Sequence, residues 1–137
     1  MALTAVTLTG CGNKYSSYCD AVSSHQTQLT NTFSAGGKAA LLNALPAFED
    51  LRDKAPEDIR GDWDQLVTSL QGLQQALQEA GVDPASYDRN DLPAGVTPAQ
   101  KASIDAASRS VGSAATARAA LNVQQEARDV CQTPLTM

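Results

Sequence analysis

His25 is the residue of this chain best suited to acid–base or ligand chemistry, because it is the single histidine. A histidine on the inward face of a helical bundle could ligate haem or a metal. Tyr15 and Tyr18 would then stand beside it in a pocket for a small ligand. A lone histidine at such a position is also commonly a hydrogen-bonded structural residue, and the sequence leaves both interpretations open. The expected helical face consists of Tyr18, Val22, His25, Leu29 and Phe33.

Arg118 is a second candidate, because it lies in phase with the apolar stripe expected for the last helix. It follows Ala114 by four residues and precedes Leu121 by three. Its long side chain could extend to solvent or pair with a buried acid. The second arrangement predicts a polar pocket inside the bundle.

Two acid-rich segments offer other candidates. Asp88, Asn90 and Asp91 suggest calcium ligands, but Pro93 stands where an EF-hand loop needs glycine, and no glutamate closes the loop. We expect these side chains to form turns with their own backbone. The charged run 49–64 is typical of a solvent-exposed face with salt bridges rather than of paired carboxylates in a cleft.

Motifs typical of enzymes are missing from the sequence. It contains no Gly-rich phosphate loop, no Gly-x-Ser-x-Gly elbow and no Cys-x-x-Cys pair. A serine nucleophile would need a nearby base, and His25 is the only imidazole available. We therefore expect no catalytic activity, no cofactor and no metal site.

The composition favours one helical domain and excludes some partners. The chain has 137 residues, is 42% hydrophobic and 4% aromatic, and carries a net charge of −5. Abundant alanine and leucine with few aromatic residues favour helices over strands. We expect no nucleic-acid partner, because phosphate binding needs a basic patch and the chain has no run of Lys or Arg. No apolar run reaches the roughly 18–20 residues of a transmembrane helix.

Four helical patterns must position the candidate residues. They run from Tyr15 to Phe33, from Lys38 to Lys54, from Pro56 to the cap at Gly81, and from Thr97 to Cys131. Pro46 is expected to kink or break the second helix, because proline removes a backbone hydrogen bond. The long connection Val82–Val96 is either functional or packed across the bundle. The predicted fold is an all-α, antiparallel up-down-up-down bundle of four helices.

The first eleven residues carry a motif of another kind. Leu8-Thr9-Gly10-Cys11 follows an uncharged, largely apolar run and resembles the lipobox of bacterial lipoproteins. With its Ala-, Asp- and Gln-rich helices, the chain resembles the small secreted helical lipoproteins of actinobacteria. The resemblance implies that residues 1–10 are the end of a signal peptide and are removed, that residues 11–14 form a lipidated linker, and that residues 15–137 form the helical bundle domain. It also implies acyl chains, such as palmitate, on the Cys11 thiol.

The resemblance also bears on the other cysteines and on function. With Cys11 assigned to lipid, Cys19 and Cys131 are left as a disulfide pair in an oxidising compartment. The predicted bundle permits this pair, since the start of its first helix lies beside the end of its last. We expect a non-catalytic, lipid-anchored interaction module at the extracytoplasmic face of the cell membrane, with an envelope protein or a small apolar ligand as partner. The alternative is a small-ligand or haem carrier with a pocket near His25.

Overall fold

The computed structural model describes residues 14–137, so the Leu8–Cys11 motif lies outside the described residues. Within that range the chain forms five α-helices and no strand. The all-α class is confirmed for this range, whereas the predicted number of four helices is wrong. None of the five helices is long and apolar enough to cross a membrane. They are α1 (Ser16–Ala35), α2 (Ala40–Lys54), α3 (Glu57–Glu79), α4 (Pro98–Val111) and α5 (Ala114–Val130).

The additional helix arises because the predicted last helix is interrupted at Gly112 and Ser113. Gly112 is the C-cap of α4, and the Ser113 side chain caps α5 by accepting a hydrogen bond from the Thr116 amide at 3.2 Å. The interruption changes which face of α5 is buried. Leu121 is 65% exposed, so its predicted inward orientation is wrong. The buried residues of α5 are Thr116, Ala119, Val123 and Ala127.

The second helix, α2, continues through Pro46, so the expected break does not occur. The proline is exposed, while the opposite face of the helix is buried. Packing of this apolar face offsets the backbone hydrogen bond that proline cannot donate. The buried residues of α2 are Leu42, Ala44, Leu45, Ala47, Phe48 and Leu51.

The helices are arranged around α3. It contacts α2, α4 and α5: Gln71 bonds Glu49 of α2, and the second half of α3 contacts α4 through Ser69 and the Glu79 carbonyl. Asp62 bonds Asn122 and Ser69 bonds Thr116, which places α5 antiparallel to α3. The first helix, α1, packs mainly on α2 and approaches the backbone of α5 at few positions. A gap therefore remains between α1 and α5 over much of their length.

The Cys19–Cys131 disulfide closes this gap at one end. It joins the first part of α1 to the C-cap of α5, with the two Cα atoms 5.1 Å apart. The predicted cysteine pair is confirmed. The two residues are separated by 112 positions, so the bond links the two ends of the helical domain.

After Cys131 the chain reverses, and residues 132–137 form a strap between α1 and α5. Gln132 takes a left-handed conformation with φ 53° at the reversal. Leu135 is only 6% exposed and packs into the core. Two hydrogen bonds of 2.9 Å hold the strap to α1: Gln26 Nε2 donates to the Pro134 carbonyl, and the Met137 amide donates to Thr30 Oγ1.

Candidate functional site

An apolar cleft of about 270 Å³ lies between α1 and α5. Four helices and the strap supply its walls. None of its lining residues carries a charge, and its polar side chains are Gln124 and Thr136. The lining residues are Leu29, Phe33, Leu41, Phe48, Leu66, Ala120, Val123, Gln124, Leu135 and Thr136.

Large aromatic side chains pack against one another at the base of the cleft. Phe48 lies between Phe33 and Trp63, with ring centroids 6.4 Å and 5.6 Å away. On the opposite wall Ala120 is small and leaves space unfilled. Leu41 lines the cleft and is nevertheless 42% exposed, so the cleft opens to solvent beside α2.

His25 bridges α1 and α2 and does not line the cleft. Its Nε2 lies 2.8 Å from Asp50 Oδ2, and its Nδ1 lies 3.4 Å from Gln28 Oε1. Lys54 pairs with the same aspartate, and Lys54 and His25 together lower the pKa of the Asp50 carboxyl. The imidazole is thus hydrogen-bonded to side chains of both helices.

Tyr18 and Tyr15 also make hydrogen bonds away from the cleft. Tyr18 is fully buried, and its hydroxyl accepts a hydrogen bond from Trp63 Nε1 at 3.1 Å. Burial raises the pKa of the Tyr18 hydroxyl to about 12. The Tyr15 hydroxyl donates to Asp58 Oδ2 at 2.6 Å, and this bond lowers the pKa of the Asp58 carboxyl.

Arg118 is exposed on α5, so the inward orientation considered for it is wrong. The interruption at Ser113 rotates the arginine away from the core. The buried polar residues at this level are instead Ser69 and Thr116, whose hydroxyls are 3.0 Å apart. Gln65 joins both side chains, which completes a hydrogen-bonded network between α3 and the α4–α5 junction. Isolated serines and threonines have no periodic signal, so this network could not be predicted from the sequence.

A wider polar depression of about 490 Å³ lies beside this network, between α3 and α4. Its polar floor includes Gln65, Ser69 and Ser110, which already bond one another or their neighbours. A ligand there would have to replace existing hydrogen bonds, so the net gain on binding would be small.

The acidic connection between α3 and α4 forms turns, as predicted. Asp83 Oδ1 accepts a hydrogen bond from the Ala85 amide, and Asp88 Oδ1 accepts one from the Asn90 amide, both at 2.9 Å. Over residues 14–137, no group of three or more His, Cys, Asp or Glu residues is placed to hold a metal ion.

The structure brings Cys19 and Cys131 together but leaves His25, Tyr15, Tyr18 and Arg118 at separate places outside the cleft. No protein-family model matches the chain, and neither a curated protein nor a solved structure is significantly similar to it. The cleft is therefore interpreted from its own geometry and chemistry.

Proposed function

We propose that this chain is a lipid-anchored binding module that works at the extracytoplasmic face of the cell membrane and catalyses no reaction. The Leu8-Thr9-Gly10-Cys11 motif supports the anchor. The Cys19–Cys131 disulfide supports an oxidising compartment, since such bonds are rare in the reducing cytosol. Because Cys19 follows Cys11 closely in the sequence, the disulfide-bonded end of the domain would face the membrane.

The cleft between α1 and α5 is the observation that carries the proposed binding role. It is concave, apolar and open to solvent at Leu41, which are the properties of small-molecule sites. The side chains best suited to proton transfer or metal ligation are engaged elsewhere. His25 bonds Asp50, and Tyr18 bonds Trp63. This arrangement favours binding of an apolar ligand over catalysis.

Haem carriage through His25 receives less support than binding in the cleft. The imidazole would have to leave Asp50, and it does not line the apolar cavity. Haem titration of the purified protein, with His25→Ala as control, tests this alternative. We expect no haem Soret shift in either protein. A shift that His25→Ala abolishes would support the haem carrier instead.

The anchor is tested by intact-mass measurement of the chain recovered from the membrane fraction. We expect the mass of acyl chains on the wild-type protein, and release of the Cys11→Ala variant from the membrane. A matched control, Cys19→Ala with Cys131→Ala, removes the disulfide and should stay at the membrane with its lipid. Membrane-bound protein with an unmodified Cys11 would contradict the proposed anchor.

A further inference from the structure

The size of the cleft is the first indication of what it binds. Protein cores are close-packed, with few voids larger than a water molecule. The cleft measures about 270 Å³, whereas an apolar cavity of about 150 Å³ already admits benzene. A water molecule takes up roughly 30 Å³ in the liquid, and a methylene group is of similar size, so the cleft has room for up to about nine such groups. The volume therefore suits a short aliphatic chain.

The chemistry of the walls narrows the ligand further. A buried charge without a partner is strongly unfavourable, and no lining residue is charged. A carboxylate or an ammonium group would therefore find no counter-ion in the cleft. Gln124 on α5 and Thr136 on the strap could each form a hydrogen bond with a neutral hydroxyl or carbonyl group. The walls thus match an uncharged molecule with one aliphatic chain.

The strap is the wall with the weakest attachment. It belongs to no helix, and one buried side chain, Leu135, and three hydrogen bonds join it to the bundle: two to α1, and one from the Thr133 amide to the Ala127 carbonyl of α5. The strap begins directly after Cys131, which the disulfide holds in place, and its first residue, Gln132, has a left-handed backbone conformation. A segment with few buried contacts opens at a lower free energy than the packed helices around it.

We propose that the cleft binds the aliphatic chain of a small uncharged molecule, and that the strap of residues 132–137 moves off α1 to widen the opening through which this molecule enters. This inference rests on the proposed function only in treating the cleft as the binding surface. It does not require lipid on Cys11, so it is tested on the full chain carrying Cys11→Ala. If this protein does not bind the ligand, the membrane test of the anchor is unaffected. If the membrane test contradicts the anchor, the ligand-binding test is likewise unaffected.

The binding site is tested by titrating this protein with 1-octanol while the methyl signals of its leucines are followed by NMR. We expect saturable shifts at Leu29, Leu66 and Leu135. Ala120→Leu fills the cleft and should weaken octanol binding by at least about tenfold, which corresponds to about 1.4 kcal/mol. Ala115→Leu makes the same change at an exposed position of α5 and should leave binding as it is.

The proposed movement of the strap is tested by substituting two threonines of α1. Thr30 and Thr32 both donate to the carbonyl one turn earlier, at 2.7 Å and 2.8 Å, but Thr30 also accepts the hydrogen bond from the Met137 amide. Thr30→Val should therefore speed octanol association by about fivefold, the factor that one net hydrogen bond contributes to an opening equilibrium. Thr32→Val should leave the association rate unchanged.

Three results would overturn the proposal. The first is the absence of saturable shifts with octanol. The second is equal binding by the Ala120→Leu and Ala115→Leu proteins, provided that both give folded spectra. The third is an equal association rate in the Thr30→Val and Thr32→Val proteins, which would overturn the role of the strap.

Discussion

The Trp63 indole donates a hydrogen bond to the Tyr18 hydroxyl across 3.1 Å, with both side chains fully buried. The bond joins α1 to α3, two helices whose backbones do not approach each other closely. Side chains that reach across the bundle centre therefore hold these helices in register.

Replacing Tyr18 by phenylalanine should destabilise the protein by about 1–3 kcal/mol. The substitution leaves the buried Trp63 N–H without its acceptor, and an unpaired buried donor retains its full desolvation cost. Urea unfolding followed by circular dichroism measures the loss. Tyr15→Phe is the matched control, because its bond to Asp58 is exposed and should contribute less. Equal losses in the two variants would contradict the role of the buried bond.

Stability should also fall at alkaline pH because of Tyr18. Its pKa is raised from 10.0 to about 12 in the folded protein. The folded state therefore binds this proton more tightly than the unfolded state does. The protonated Tyr18 hydroxyl contributes its full stabilisation of the folded state below pH 10. This stabilisation should be lost progressively between about pH 10 and 12, by about 2–3 kcal/mol. Urea unfolding across this range tests the effect, and a Tyr18→Phe protein with the same alkaline loss would refute it.

Replacing Glu126 by glutamine should stabilise the protein at neutral pH. Glu126 Oε1 is buried without a hydrogen-bond partner among the described residues. Burial, with Asp58 and Asp129 nearby, raises the pKa of this carboxyl. Because the pKa of Glu126 is higher in the folded state than in the unfolded state, the folded protein keeps its full stability below the unfolded-state pKa. It loses part of that stability as the carboxyl ionises at higher pH. We expect a gain of about 0.5 kcal/mol at pH 7, in the usual range for partly exposed positions.

The control for this substitution is Glu79→Gln, which removes one negative charge from an exposed position. Its stability should change little at any pH. The stabilisation by Glu126→Gln should disappear below the unfolded-state pKa, where both proteins are neutral at this position. A gain that persists at acid pH would show that electrostatics is not its cause.

Replacing Ser113 by alanine should destabilise α5 by about 1 kcal/mol, the usual value of an N-cap. The Ser113 hydroxyl both accepts from the Thr116 amide and donates to the Thr116 hydroxyl. Amide hydrogen exchange should show faster exchange at Thr116, and urea unfolding should show the lower stability. Ser103→Ala, in an exposed part of α4, should leave both quantities nearly unchanged. Unaltered exchange at Thr116 would count against the cap.

Much of the fold was predictable because it depends on local signals. The stripes of α1 and α3 and the proline and glycine positions predicted these helices to within a few residues. The break before α5 was missed because alanine-rich sequence continues on both sides of Gly112. The serine that follows it was the available signal, since Gly112 can cap one helix and Ser113 can begin another.

The cleft could not be predicted from periodicity. It depends on the strap folding back against α1, and this contact joins positions more than one hundred residues apart, such as Thr30 and Met137. The sequence predicted that the last helix ends at Cys131 but not the path of the chain beyond it. The phase predicted for α5 placed Arg118 in line with the apolar stripe, whereas in the structure Arg118 is exposed and Ala120 lines the cleft.

The disulfide has a mechanical consequence for the domain. Any tension applied to the chain ahead of Cys19 passes through a covalent bond into α5 before it reaches the rest of α1. Of α1, only residues 16–18 lie ahead of that bond. The force is thus shared by α1 and α5, the two helices on either side of the cleft. As a result, α1 cannot separate from the bundle turn by turn from its N-terminus.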